Sequence, residues 1–169
     1  HSDRAHILHA YTRASGRAAF LIYGVGSRRK RAGVYAPFSL VELTVREGRG
    51  GQLPTVEQAT LLYTPTQTQT DIRRQTVALF LSELISHTLS LPMQDEPMFD
   101  FLSRVVRDLD QASDPENVHL RAMIGLSEQL GFAIDQEQYP LLCTMPESRA
   151  QRQEQLRQLC AYYAVHVDT

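Results

Sequence analysis

The sequence predicts an α+β protein: an N-terminal OB-fold β-barrel followed by an α-helical bundle domain. Three observations carry that expectation. Short apolar–polar alternations, broken by glycine-rich turns, fill residues 1–60. From residue 71 onward apolar residues recur at helical period. Between the two the charge balance changes sign: residues 1–60 carry nine Lys/Arg against four Asp/Glu, or +5, and residues 61–169 carry eight against fifteen, or −7, within an overall −2. A basic half joined to an acidic half suggests two units with different partners. The expected domains are 1–64, which would bind nucleic acid, and 65–169, which is helical.

In the first unit, "AHILHAYTR" (Ala5 to Arg13) reads as a strand, and "ASGR" (Ala14 to Arg17) as a turn in which Gly16 adopts positive φ. "AAFLIYG" (Ala18 to Gly24) is a second, apolar strand. In "SLVELTVREG", Val41, Leu43 and Val45 alternate with Glu42, Thr44 and Arg46, which gives a half-buried strand. "GRGG" (Gly48 to Gly51) breaks it, and "TVEQATLLY" forms a further strand. Short strands with basic, glycine-rich turns suit a small barrel.

"TPTQTQT" (Thr64 to Thr70) reads as a polar linker. Beyond it, Val77, Leu81, Leu84, Ile85 and Leu89 form a helical stripe that Pro92 ends. Pro97 opens a second helix, whose Met98, Phe99, Leu102, Val105, Val106 and Leu109 share a face. Asp114-Pro115 starts a third, with Asp114 as N-cap, and Gly131 stops it. Pro146-Glu147 begins the last, with Leu156, Leu159, Cys160 and Tyr163 inward. Four amphipathic helices with short connections read as a bundle.

Composition narrows the function classes. The apolar share of 43% and charged share of 21% fit a globular chain rather than a disordered one. No apolar run approaches the ~18 residues a membrane span needs, and "HSDRAHILHA" does not read as a signal peptide, so a soluble, cytoplasmic protein is expected. Cys143 and Cys160 are expected to be reduced. They lack CxxC spacing, so no zinc ribbon is expected. His6 and His9, three apart on a strand, point to opposite faces and do not make a metal pair. His87, His119 and His166 have no legible nucleophile partner, and no catalytic residue, metal site or cofactor is expected.

The densest chemistry lies in "GVGSRRKRAGVYAPF". Gly24 and Gly26 stand too close for a P-loop, and no Gly-Lys-Ser/Thr follows. What remains is a cationic loop of Arg28, Arg29, Lys30 and Arg31, with Arg13 and Arg17 before it and Arg46 and Arg49 after it. Clustered cations bind a phosphate backbone by releasing its counterions. The interleaved Phe20, Tyr23, Tyr35 and Phe38 offer faces for base stacking. The residues read equally well as a solvated loop beside core aromatics.

Several segments together resemble the RecO family of bacterial recombination mediators. "SDRAHILHAYTRASGR" resembles the family's early S(D/E)…(S/H)GR segment. "APFSLVEL" resembles its QPF(S/T) strand, with Ala36 where Gln is usual. "GRG" (Gly48 to Gly50) resembles the turn before its last barrel strand, "FLSELI" (Phe80 to Ile85) its Y(I/L)xELL helix, and "LGF" (Leu130 to Phe132) its LG(Y/F) helix end. The resemblance implies an OB-fold joined to a helical domain and a non-enzymatic protein of DNA repair and recombination. It implies binding of single- and double-stranded DNA, annealing of complementary strands, and contact with RecR and the single-strand-binding protein SSB, so that RecA loads onto SSB-coated DNA. It implies a nucleoid-associated place in the cytoplasm. Measured against the family, the chain begins after the first barrel strand and ends before the C-terminal helix. Only Cys143 stands where some members carry four zinc-binding cysteines. The acidic, apolar C-terminal tail of SSB needs an apolar groove with a cation, and Leu120, Arg121 and Ile124 are the expected receivers. An RNA-binding OB-fold protein and a small hydrolase with an unrecognised site are the competing readings.

Overall fold

The four short β-prone segments yield four strands in the computed structural model, which describes residues 5–23, 34–89 and 94–167. β1 (His6–Thr12) and β2 (Gly16–Ile22) form an antiparallel hairpin in which His6 faces Ile22 and Thr12 faces Gly16. Gly16 holds a φ of +63°, the left-handed turn that a side chain disfavours. β3 (Leu40–Arg46) and β4 (Thr55–Tyr63) form a second antiparallel pair, with irregularities at Leu40/Val41 and Thr44/Val45 that increase its twist. The two hairpins join through β2 and β4, which run parallel at Leu21–Thr55, and the order is β1-β2-β4-β3. This is an OB-type sheet, but the described strands do not close into the expected barrel: β1 and β3 remain its edges. Leu8 pairs with Phe20, and Val41 with Leu61, which gives the sheet one apolar face with Phe20 and Ile22 buried on it.

The helical half contains α1 (Thr66–Thr70), α2 (Ile72–Thr88), α3 (Glu96–Gln111), α4 (Val118–Gln129), α5 (Pro140–Cys143) and α6 (Arg149–His166). The expected apolar stripes meet in two adjoining cores. One gathers Leu89, Met98, Leu120, Met123, Leu126, Leu142, Leu159 and Tyr163. The other gathers Val77, Ala78, Leu81, Val105, Leu109, Val118 and Ala122. Phe101 touches both. Gly131, at φ +84°, ends α4 in a Schellman arrangement: its N–H donates to the Glu128 carbonyl and that of Phe132 to the Ser127 carbonyl. No helix of the described residues is long and apolar enough to cross a membrane.

Four local readings are corrected. Thr64 to Thr70 is not only a linker: α1 forms there, with Thr68 buried. Asp114 does not cap α4 with its side chain. A 3₁₀ turn, Pro115–Asn117, intervenes, and the carboxylate turns instead to Arg121 and Asn117. The last helix starts at Arg149 rather than at Pro146, because Ser148 and Gln151 close a capping box. Its buried positions are Gln155, Leu159 and Tyr163, spaced by four, so Cys160 falls on the exposed side. Both cysteines are free.

The sheet meets the helices at specific side chains. Phe38 takes a φ of +62°, a conformation that costs a non-glycine residue roughly 1–2 kcal/mol, while its ring packs against the α2–α4 core. Tyr63, at the end of β4, donates its hydroxyl to Asp110 of α3.

Candidate nucleic-acid interface

The strand register sorts the expected cations into two groups at opposite ends of the sheet. β2 ends beside the start of β4, where Leu21 pairs with Thr55, and β3 ends there too, where Arg46 pairs with Thr55. Arg46, Arg49 and the departure point of the chain after Tyr23 therefore share one end. The Gly48–Gly51 turn sits tightly at this end, since a Cβ on Gly48 would overlap the Gln52 carbonyl. Arg49 is exposed, and Arg46 lies 3.5 Å from Glu57 in a cross-strand pair open to solvent. Arg28, Arg29, Lys30 and Arg31 lie outside the described residues.

Arg13 and Arg17 occupy the other end, where the β1–β2 turn meets the helices. Arg17 donates from Nη1 to the Ser86 carbonyl in the last turn of α2, at 2.9 Å. Arg13 pairs with Glu96 and, at 2.6 Å, with Asp100, and its guanidinium lies 4.6 Å from the centre of the Phe99 ring. The two carboxylates and the ring hold its charge, and the two hydrogen bonds raise its pKa further. With Arg17 nearly the length of β2 from Leu21, the four described cations among the eight expected do not form one continuous patch. Of the interleaved aromatics, Phe20 is buried, Tyr23 and Tyr35 keep access to solvent, and Phe38 is engaged with the helical core.

The expected peptide receiver lies at the start of α4. Leu120 is wholly buried, so it supports this surface from beneath and does not reach a ligand. Ile124 is half-buried. Arg121 is exposed but makes a two-pronged pair with Asp114, at 2.7 and 3.1 Å, which holds that carboxyl below its usual range. Beside it Arg152 donates to the Asn117 side chain at 2.7 Å. His119 packs edge-on against Phe80, with centroids 5.6 Å apart. Burial first, and then the Arg152 charge, push its pKa down to about 4. The unfolded chain therefore takes up a proton, between its ordinary pKa of 6.5 and about 4, that the folded chain refuses. Stability is expected to fall through that window on acidification, by on the order of 2 kcal/mol, and to be independent of His119 above it. His119→Gln should flatten the stability curve between pH 7 and 4.5 in urea titrations. An unchanged curve would show that another group governs it.

A concave apolar surface exists elsewhere in the helical half, where sequence patterns gave no signal. Tyr139, Leu142, Ala161, Tyr162, Val165 and His166 line a groove of about 350 Å³ between α5 and α6, with Arg157 on its rim. Tyr162 stacks on His166 at 4.2 Å and meets Tyr139 edge-on. Arg157 is paired with Glu154 at 2.6 Å. The polar, glutamine-rich start of α6 hides this face from a search for apolar period. Among the described residues no group of three or more His, Cys, Asp or Glu is placed to hold a metal ion. His6 and His9 are both exposed on β1.

Comparison with known proteins places this geometry in a family. Residues 1–65 match the family model described as recombination protein O N terminal, and residues 69–139 match that described as recombination protein O C terminal. The chain is similar to the DNA repair protein RecO of Porphyromonas gingivalis, with 29% identity over 140 residues that cover 80% of this chain and 57% of the relative. It is also similar to the proteins of the same name from Flavobacterium johnsoniae, at 27% over 137 residues (79% and 57% covered), and Syntrophobacter fumaroxidans, at 29% over 133 residues (78% and 52% covered). The chain thus spans little more than half the length of the curated relatives it matches. α5 and α6 lie beyond both family models. With the N-terminal model falling on the sheet and the C-terminal model on the helices, in that order, this chain belongs to the RecO family.

Proposed function

We propose that this protein acts in DNA repair as a recombination mediator. It binds single- and double-stranded DNA through its sheet half, anneals complementary strands, and helps load RecA onto SSB-coated DNA in concert with RecR. The match of both halves, in order, to the two models of one family is the observation that carries this reading. The +5 balance of residues 1–60 supports it, because a phosphate backbone binds through cations whatever its sequence. The cytoplasm, in association with the nucleoid, is where such a protein would work.

The reading is tested by titrating labelled oligonucleotides of DNA and of RNA at several salt concentrations. Salt-dependent binding to single-stranded DNA, together with faster annealing of complementary strands, is expected. Binding to RNA alone would replace the reading with that of an RNA-binding OB-fold protein.

The acidic tail of SSB is proposed to dock on the helical half, with Arg121 receiving a carboxylate beside Ile124. The tail must displace Asp114, which is feasible because exposed ion pairs are worth only ~0–1 kcal/mol. Arg121→Glu should abolish capture of the tail peptide, leave DNA binding intact, and leave the fold intact because the side chain is exposed. Full capture by Arg121→Glu, with loss in Arg157→Glu, would move the site to the α5–α6 groove.

A further inference from the structure

We propose that the first turn of α3 competes with nucleic acid for Arg13, so that Glu96 and Asp100 act as a built-in stand-in for a phosphate and bound DNA loosens the hairpin from the helix. This inference rests on the nucleic-acid reading above and adds an internal competitor to it.

The geometry is that of a mimic. Arg13 stands at the apex of the β1–β2 hairpin, and its two terminal nitrogens go to two different carboxylates, Glu96 Oε1 and Asp100 Oδ1. Glu96 and Asp100 are four residues apart on α3 and so lie on one face of it. Two anionic oxygens before one planar guanidinium is the arrangement that a phosphate also presents. Phe99 adds its ring beneath the same guanidinium.

Exposure decides that the contact can be exchanged. The side chains of Arg13, Glu96 and Asp100 are 49%, 60% and 46% exposed. Ion pairs this open to water contribute little to stability and weaken with salt. Swapping a carboxylate for a phosphate on Arg13 keeps the charge-assisted hydrogen bonds, and DNA additionally gains the entropy of its released counterions. Reach is not limiting. The sheet is seven residues long at β1 and β2, or about 23 Å at roughly 3.3 Å per residue. A strand of 4–16 nucleotides, the usual range for one OB-fold, spans from the Arg46/Arg49 end to the hairpin apex.

The test uses the whole chain and a labelled oligothymidylate, titrated at several salt concentrations. The E96Q/D100N variant should bind several-fold more tightly at low salt, with a slope of log K against log salt steeper by about 0.7, one further phosphate. R13A alone should change binding less than E96Q/D100N does, since in the parent the loss of the two carboxylate contacts offsets most of what Arg13 gains from a phosphate, and R13A added to E96Q/D100N should remove the gain. Unchanged binding by E96Q/D100N overturns the inference. So does a gain that survives R13A, which would mean only a general loss of negative charge. If parent and variants bind no nucleic acid at all, the underlying reading falls as well. Hydrogen exchange on the unsubstituted chain gives a check that needs no variant. Saturating oligonucleotide should speed exchange at the hairpin apex and in the first turn of α3, and unaltered rates there overturn the competition.

Discussion

Asp110→Ala is expected to cost about 3 kcal/mol of stability, the larger share of it from donors stranded without a partner. Asp110 is 4% exposed, yet both its oxygens are in use: Oδ2 accepts the Tyr63 hydroxyl, and Oδ1 accepts the Thr68 N–H, each at 2.8 Å. The Thr68 N–H is one of the donors that a helix N-terminus leaves unsatisfied, and α1 has no side-chain cap of its own. A carboxylate of α3 therefore caps α1 from outside it. Truncation leaves that N–H buried beside Thr68 Oγ1, which already lacks a partner. It also removes the hydrogen bond between the end of β4 and α3. Arg74 binds the neighbouring carbonyls of Leu109 and Ala112, so the end of α3 stays ordered and the loss reports on Asp110 itself. In a chain of this size the midpoint of thermal unfolding should drop by roughly 6–12 °C. Tyr63→Phe removes one hydrogen bond without stranding a buried amide, and should cost only about 1 kcal/mol. Equal losses in the two variants would mean that the Thr68 contact contributes nothing.

The same network shows which parts of the fold a sequence can reveal. The strands were legible from apolar alternation, as in Val41, Leu43 and Val45, or from a short apolar run, as in "AAFLIYG". The long helices were legible from stripes such as Met98, Val105, Val106 and Leu109, all of which are buried. α1 was not legible. "TPTQTQT" has no apolar period, and its helix depends on a carboxylate forty-two residues away. Gln155 was not legible either: a glutamine carries no apolar signal, yet this one is buried and its amide donates to the Leu142 and Thr144 carbonyls inside the fold. At the candidate site, composition revealed the cations but not their company. Glu96 and Asp100 stand more than eighty residues from Arg13, and only the packing of the hairpin on α3 brings them together. The two-ended distribution of positive charge likewise depends on β2 and β4 running parallel, a pairing that no local pattern encodes.

We propose that Arg28, Arg29, Lys30 and Arg31 are the centre of the DNA contact, and replacing Arg28, Arg29 and Arg31 by Ala is expected to have the largest effect on binding. The loop lies outside the described residues, but the chain leaves for it directly after β2, at the sheet end that also carries Arg46 and Arg49. Arg17 cannot substitute for it, since α2 engages it at the other end, and Arg13 offers there at most one phosphate contact, in competition with Glu96 and Asp100. Each lost phosphate contact on single-stranded DNA changes the slope of log K against log salt by about 0.7, so three lost contacts should flatten it by roughly 2. The loss should be similar for oligonucleotides of different sequence, because phosphate contacts carry no base information. Arg49→Ala should flatten the slope by less than one, and Arg17→Ala should leave the slope alone while lowering stability through the lost bond to Ser86. Unchanged affinity and slope in the triple variant would show that the loop is a solvated edge and that DNA lies elsewhere. A loss confined to one sequence would point to base readout instead.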